Sequence, residues 1–273
     1  MTKPTAPAPR RLTPKRVVKM GLQLGGAAVA RVRTLTSRPP RFTGVFPTRE
    51  AAIAAMPTDL KAGYDNQEIA DVSFQQMCEL AVWDYPVVFW LDRLLSGRGT
   101  LIDAGGHQGT KFIAFKNVLD LRDLQWVVYD LPGIVSVARK RQADGMIPSE
   151  IQFQTQLSQL PPADALLASG LLQYLDCSFS SLVQDLPQPP RIILLNKVAL
   201  RDGPAVFTHE RIGHTRVPYH IRSRKAWEAE IAALGYCVRD SWDIPDLGHV
   251  ISTHPWQGRS ESRGYVLERC VTR

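Results

Sequence analysis

Long apolar runs are missing from this 273-residue sequence. No stretch of about 18 or more apolar residues occurs, which argues against an ordinary transmembrane helix. Cysteine is scarce, and the four cysteines form no CxxC pair: Cys78, Cys177, Cys237 and Cys270. We therefore expect neither a zinc site nor a disulfide framework, but reduced and mostly buried thiols. The spacings HExxH and HxxxH are also absent, so we expect no metal ion.

Acidic residues are almost absent from the first fifty positions. Residues 1–50 hold eleven Lys or Arg and one acid, Glu50, a net charge of +10. Because the whole chain carries +7, the remaining residues carry −3. The body of the protein is therefore not basic, and we expect no nucleic-acid partner.

The basic N-terminal extension, residues 1–41, ends at Arg38-Pro39-Pro40, because residues before proline resist helix formation. Its weakly apolar stretch Met20–Ala30 has basic residues on both sides. Two interpretations remain open for it: a basic amphipathic segment resting on an anionic membrane, or a disordered basic tail. We expect a cytoplasmic protein, peripheral to the inner membrane under the first interpretation.

Beyond the extension, residues 42–97 are predicted to form a helical cap, with helices at 48–56 and 66–95 and a break or kink at Pro86. Residues 98–273 then alternate short apolar runs with helical segments. Strands are predicted at 101–103, 125–130, 151–154, 165–169, 191–200, 236–242 and 264–271. Helices are predicted at 110–119, 132–142 and 179–186, and after Ser223. This alternation predicts an α/β domain with a parallel sheet, and the last two strands, which have no helix between them, predict an edge hairpin.

The segment Thr-Leu-Ile-Asp-Ala-Gly-Gly-His-Gln-Gly, residues 100–109, predicts a buried strand that turns through glycines into a helix. Asp103 precedes Gly105, Gly106 and Gly109, and no GxGxxG pattern occurs. An acid at the end of the strand would repel a pyrophosphate, whereas it suits a cofactor with a cationic group. S-adenosylmethionine (SAM) has that chemistry, and a plain strand-to-helix turn is the alternative.

Asp130 ends the second predicted strand. A carboxylate there can accept hydrogen bonds from both hydroxyls of a ribose. The alternative is a cap for the helix that begins at Pro132, because aspartate is also favoured at that position.

Three pieces of the sequence resemble motifs of class I SAM-dependent methyltransferases: Leu-Ile-Asp-Ala-Gly-Gly at 101–106, Tyr-Asp-Leu-Pro at 129–132, and Ala-Asp-Ala-Leu-Leu-Ala-Ser-Gly-Leu-Leu-Gln-Tyr-Leu at 163–175. With Gly63-Tyr64-Asp65, they make residues 42–273 similar to a family of bacterial methyltransferases that accompany O-antigen and surface-polysaccharide genes. The resemblance implies a Rossmann-like fold with a mostly parallel seven-stranded sheet and an antiparallel last strand. It also implies O-methylation of a glycan or lipid-linked saccharide.

The same resemblance implies which residues bind SAM: Asp103, Gly105, Gly106, Gly109, Asp130, Leu131, Ser169, Gly170 and Leu171. It places Gln173 and Tyr174 near the substrate, and we expect Tyr219, in the segment that follows the strand at 191–200, near the substrate as well. Two residues depart from the pattern. His107 stands where many of these enzymes have glycine, and Gln173 stands where related O-methyltransferases have a histidine base.

Glutamine cannot act as a base at neutral pH. We therefore predict that the base is one of three histidines in a long loop at 201–222, which would act as a substrate lid: His209, His214 and His220. Two other functions remain open. A catalytically inactive scaffold would keep the fold alone, and an NAD-dependent oxidoreductase is disfavoured by Asp103.

Overall fold

Helices and strands alternate through residues 14–36, 38–57 and 74–270, which a computed structural model describes. The helices are α1 (Pro14–Arg33), α2 (Arg49–Ala54), α3 (Phe74–Met77), α4 (Tyr85–Leu95), α5 (Thr110–Phe115), α6 (Pro132–Ala143), α7 (Phe179–Gln184) and α8 (Arg224–Ala233). The strands are β1 (Phe42–Phe46), β2 (Arg98–Ala104), β3 (Asp123–Tyr129), β4 (Gln152–Gln154), β5 (Ala165–Ser169), β6 (Ile192–Arg201), β7 (Val206–Ile212), β8 (Thr215–Ser223), β9 (Tyr236–Asp243) and β10 (Glu261–Arg269).

Seven of the strands form a sheet in the order β4-β3-β2-β5-β6-β10-β9. The first five are parallel to one another, and β10 is antiparallel to both β6 and β9. This is a Rossmann-like arrangement, and the predicted mostly parallel sheet with its antiparallel last strand is confirmed. The whole sheet has ten strands rather than the predicted seven, because β8 pairs with the end of β6 and brings β7 and β1 with it. The last strand inserts between β6 and β9.

The central strand β2 is buried on both faces, as parallel strands covered by helices are. Leu101 packs with the apolar cluster that contains Trp126, whereas Ile102 packs with the cluster on the opposite face. Successive side chains of a strand point to opposite faces, so Asp103 lies on the same face as Leu101. That alternation determines which helices surround the carboxylate.

The predicted lid at 201–222 is wrong. These residues form β7 and β8, an antiparallel hairpin in which Phe207 pairs with His220. β1 pairs with β7, so the helical cap predicted for 42–97 begins with a strand. Buried and half-buried positions alternate along β8 from Val217 to Ile221, and the turn before this strand contains Gly213, whose φ is +57°. This period of two is typical of a half-buried strand.

The helix predicted across 66–95 is also corrected. Pro86 lies in the first turn of α4, where backbone N–H groups have no intrahelical acceptor and a proline costs no hydrogen bond. The helix therefore begins beside Pro86 and does not kink there. A single 3-10 turn, Val82–Asp84, precedes α4. Gly63-Tyr64-Asp65 lies outside the described residues.

The expected reduced thiols are corrected at two positions. Cys237 and Cys270 form a disulfide with Cα atoms 5.6 Å apart, while Cys78 is half-buried and Cys177 is exposed. The pair joins β9 to the residue that follows β10. Sequence spacing could not reveal it, because the cysteines are 33 positions apart and only the strand register brings them together.

Candidate active site

The glycine segment turns sharply where β2 ends. Gly105 adopts a φ of +67°, and a Cβ atom there would lie 2.8 Å from Leu171 Cδ1. A Cβ on Gly106 would lie 2.5 Å from Asp103 Cγ. Gly109 leads into α5. Because Gly105 and Gly106 have no side chains, the backbone can pass close to Leu171 and Asp103 as it leaves β2.

Asp103 lies beneath this turn with no solvent exposure. Its Oδ2 accepts a hydrogen bond from Trp126 Nε1 at 3.1 Å, and its Oδ1 has no partner among the described residues. Burial raises the pKa of the carboxyl to about 7, an effect that the Trp126 hydrogen bond and Lys111 oppose. A buried carboxylate oxygen without a donor is costly, and it suits a cationic donor that enters from the adjoining cavity.

Asp130 follows β3 and contacts the glycine segment. Its Oδ2 accepts a hydrogen bond from His107 N at 2.7 Å, and its Oδ1 accepts one from Leu131 N at 2.8 Å. His107 has a φ of +57°, so the turn is left-handed there although the residue is not glycine. Leu131, rather than Asp130, occupies the N-cap position of α6. Asp130 thus holds the turn in place beside the end of β3.

The end of β5 forms the other side of the turn. Ser169 pairs with Asn196 of β6, and Ser169 Oγ is buried without a hydrogen-bond partner in the described residues. Gly170 has a φ of +80° and donates its N–H to the Asn196 carbonyl at 2.9 Å. Gln173 is buried, and its backbone carbonyl oxygen accepts a hydrogen bond from His220 N at 2.8 Å.

A cavity of about 340 Å³ opens beside these strand ends. The sequence-predicted residues that line it are Asp103, Gly105, Gly106 and Ser169. The rest of the wall consists of residues outside the predicted site: Gln76, Met77, Glu79, Leu80, Ala81, Trp83, Thr110, Lys111 and Lys197. The cavity therefore adjoins the predicted cofactor residues and also extends over α3 and the 3-10 turn.

A buried ion pair supports that wall. Lys111 Nζ lies 2.7 Å from Asp84 Oδ2, and both side chains are buried. Asn196 Nδ2 donates to the Trp83 carbonyl at 3.1 Å and also approaches Asp84 Oδ1. These contacts connect α5, β6 and the 3-10 turn, so they fix the position of Trp83 at the cavity.

Lys197 lies at a bulge in β6. Leu195 pairs with Tyr265 and Val198 with Arg263, so two residues of β6 oppose one residue of β10. Lys197 itself has a φ of +62°, which is unusual for a residue other than glycine. A polar Asn-Lys pair within the apolar strand Ile-Ile-Leu-Leu-Asn-Lys-Val-Ala-Leu was the sequence signal for this bulge.

The structure does not bring the three predicted histidines together. His209 is buried, with Nε2 2.6 Å from the Ala52 carbonyl oxygen, and burial lowers its pKa. His220 stacks on Phe207, and burial lowers its pKa to about 3. His214 is exposed in the turn between β7 and β8. None of the three lines the cavity at the glycine turn.

The two tyrosines predicted near the substrate pack against each other. Tyr174 and Tyr219 meet edge to face, with ring centroids 5.6 Å apart. Tyr174 OH donates a hydrogen bond to Glu210 Oε2 at 2.6 Å, and Glu210 in turn pairs with Arg41. Both rings join the apolar cluster beside β1, and neither lines the cavity.

The site can thus bind a ligand that has a cationic group near Asp103 and an apolar or aromatic part near Trp83. In the described part of the chain, no group of three or more His, Cys, Asp or Glu residues is placed to bind a metal ion.

The sequence matches no known protein-family profile. It also matches no curated protein sequence.

Solved structures similar to the chain include methyltransferases. One is the Burkholderia thailandensis 1,6-didemethyltoxoflavin-N1-methyltransferase with S-adenosylhomocysteine bound, at 17% identity and a TM-score of 0.48, covering 79% of this chain and 91% of that one. Another is an S-adenosylmethionine-dependent methyltransferase from Clostridium acetobutylicum, at 12% identity and a TM-score of 0.42, covering 76% of this chain and 96% of that one.

Proposed function

We propose that the protein is a SAM-dependent methyltransferase. The observation that carries this proposal is the buried Asp103 carboxylate, whose Oδ1 lacks a partner in the described residues beneath the Gly105–Gly106 turn. It lies at the end of the central strand, where ligands of open parallel sheets bind. SAM supplies a methyl group activated on a sulfonium, and its ammonium is the cationic donor that Asp103 lacks.

The side chains around the glycine turn have separate binding roles in this proposal. Asp103 accepts a hydrogen bond from the ammonium of SAM, and Ser169 Oγ, which is also buried without a partner in the described structure, binds near the methionine part. Asp130 is the residue for the ribose hydroxyls. Leu131 is 41% exposed next to it, and its apolar side chain can cover the adenine ring. Gly109, Gly170 and Leu171 would contribute to SAM binding through the conformation of their backbone.

Titration calorimetry with three ligands tests the cofactor. We expect the full-length protein to bind SAM and S-adenosylhomocysteine and not NAD. Binding of NAD alone would instead support the oxidoreductase alternative. Binding of none of the three would support the inactive scaffold.

The acceptor that we propose is a hydroxyl of a glycan or a lipid-linked saccharide used in surface-polysaccharide synthesis. Its support is the sequence resemblance across residues 42–273. Mass spectrometry of surface polysaccharide from cells with and without the gene should show a methyl group that is lost with the gene. Identical methylation in both strains would contradict this acceptor.

The role of a histidine as base stays a prediction. Alanine substitution of His209, His214 and His220 one at a time would identify it by loss of methyl transfer with S-adenosylhomocysteine binding retained. Lys197, on the wall of the cavity, is a different candidate.

A further inference from the structure

The N-terminal helix α1 carries an apolar stripe that faces away from the protein. Four of its residues are between 61% and 73% exposed: Val18, Leu22, Val29 and Val32. At about 100° per residue, these positions fall within an arc of about 80° on the helix. A contiguous stripe of exposed aliphatic side chains is unfavourable in water and indicates an interaction surface.

The opposite face of α1 rests on the body of the protein through small contacts. Ala27 and Ala30 are buried there, and Gln23 Nε2 donates to the Pro255 carbonyl at 3.4 Å. The Arg31 guanidinium lies 5.6 Å from the centre of the Trp256 ring. These contacts hold the helix so that its aliphatic stripe remains outside.

Charge identifies the occupant of this surface. Four basic residues of α1 are exposed: Lys15, Lys19, Arg31 and Arg33. The first acidic residue of the chain is Glu50, so no carboxylate offsets them within the helix. A second copy of the same helix would be repelled, and nucleic acid would leave the aliphatic stripe in water. An anionic bilayer would bury the aliphatic stripe and attract the basic side chains.

We infer that α1 lies on an anionic membrane surface, with its aliphatic stripe in the acyl region and its basic side chains among the headgroups. Within the described residues, no helix has the length and apolar character to cross a bilayer. The helix therefore lies along the surface, and it would hold the glycine turn near acceptors attached to lipid.

Co-sedimentation of the full-length protein with phosphatidylglycerol vesicles tests this inference. We expect the protein to pellet with these vesicles but not with phosphatidylcholine vesicles, and about 0.5 M salt should reduce the bound fraction by screening. Leu22→Gln with Val29→Gln should lower the partition coefficient by roughly tenfold or more, because two buried aliphatic contacts are lost.

The matched control replaces two exposed aliphatic side chains elsewhere, Val118→Gln with Met146→Gln, which are 51% and 61% exposed. This control should bind like the unchanged protein. Equal binding of the Leu22/Val29 variant would overturn the inference, as would a failure of the unchanged protein to pellet. Dimerisation without lipid that depends on Leu22 and Val29 would also overturn it and indicate a second copy as occupant.

A second inference concerns Lys197 and rests on the proposed function. The β6 bulge directs this lysine into the cavity that Asp103 and Ser169 also line. Its Cδ lies 3.6 Å from the position that a Cβ on Gly170 would occupy, and its Nζ lies 5.4 Å from the centre of the Trp83 ring. Lys197 is thus next to the end of β5, on the side of the cavity away from Asp130.

Lys197 has no ion pair with any described residue, because the nearby carboxylate of Asp84 is taken by Lys111. We propose that Lys197 is the base for methyl transfer, placed at the acceptor hydroxyl. Its bulged backbone is strained, and such strain persists where it directs a functional side chain.

The charges around Lys197 support this role. Burial and, to a smaller extent, Lys111 of α5 lower its pKa to about 8, a change that Asp84 of the 3-10 turn opposes. Asp103, on the same cavity, has a pKa raised to about 7 by burial. A substantial fraction of Lys197 is therefore a neutral amine near pH 8, whereas an ordinary lysine is almost fully protonated there.

The chemical step balances with this residue as base. A lone pair of the acceptor oxygen forms the new O–CH₃ bond, and the C–S bond breaks with its electron pair going to sulfur. The hydroxyl proton passes to Nζ of Lys197, which becomes an ammonium and later releases the proton to water. The products are the methyl ether and S-adenosylhomocysteine.

Two measurements on the full-length protein test the proposal. Acetylation by acetic anhydride at graded pH, quantified by peptide mass spectrometry, should give a midpoint near pH 8 for Lys197. Transfer of tritiated methyl from SAM to the glycan fraction of cells lacking the gene should fall by roughly 100-fold or more in Lys197→Met.

Lys197→Arg keeps the charge without a base and should be as slow as Lys197→Met, while Lys116→Met should be unaffected. Retained binding of S-adenosylhomocysteine by all variants would separate this proposal from the cofactor assignment. A midpoint for Lys197 near the ordinary lysine value of about 10.4, or full transfer by Lys197→Met, would overturn the base. An unchanged protein that binds SAM but transfers nothing would overturn the acceptor and the base together.

Discussion

Replacing Asp103 by asparagine is expected to stabilise the protein without cofactor above pH 7, while weakening its binding of S-adenosylhomocysteine by roughly 100-fold. The two effects have one cause. The carboxylate is fully buried, and its Oδ1 has no partner among the described residues until a cationic ligand arrives. A hydrogen bond to a charged group contributes about 3 kcal/mol, which corresponds to the expected loss of affinity.

The pH dependence of stability follows from the raised pKa. Asp103 titrates near 4 in the unfolded chain and at about 7 in the folded protein, so the folded state binds the proton more tightly. The contribution of Asp103 to stability is therefore most favourable below about pH 4 and is lost as the pH rises to about 7, at a cost of up to about 4 kcal/mol. Asparagine removes this loss, because it carries no charge at any of these pH values.

Thermal unfolding between pH 4 and pH 8 measures the first effect, and calorimetric titration measures the second. The affinity of the unchanged protein for S-adenosylhomocysteine should rise by about tenfold per pH unit up to about pH 7 and then level off. The affinity of Asp103→Asn for S-adenosylhomocysteine should not show this rise with pH. Asp123→Asn, an exposed aspartate at the start of β3, is the control and should change neither property. A variant with unchanged affinity would show that Asp103 is only structural.

Asp84→Asn is expected to lower the free energy of unfolding by about 3–5 kcal/mol, because it leaves the buried Lys111 ammonium without its partner. The loss corresponds to roughly 10 °C in Tm for a chain of this length. The 3-10 turn that carries Trp83 should loosen as well, because Asp84 also accepts a hydrogen bond from Ala81 N at 3.1 Å. The wall of the cavity would then be less ordered.

A double-mutant cycle distinguishes the ion pair from other effects at this position. Asp84→Asn combined with Lys111→Met removes both charges and should recover most of the lost stability, because no buried ammonium remains unpaired. Chemical denaturation of the two single variants and the double variant provides the free energies. A double variant as unstable as Asp84→Asn alone would show that the missing charge partner is not the cause.

The sequence alone was sufficient for the parallel strands of the central sheet and for the glycine turn. Both depend on local patterns: apolar runs alternate with helical segments, and Asp103 precedes Gly105 and Gly106 within a few residues. Such patterns determine local backbone structure through packing and allowed dihedral angles. The segment 201–222 is a hairpin rather than the predicted loop, and only its second half, from Val217 to Ile221, carries the period of two that is typical of a strand.

Only the tertiary structure decided the wall of the cavity. Asp84, Lys111 and Lys197 come from three separate elements, and no spacing in the sequence relates them. The Cys237–Cys270 disulfide depended in the same way on the register of β9 against β10. Local pattern determines where strands and turns form, whereas contacts between distant residues depend on how those elements pack, and burial then sets the charge of the side chains at the site.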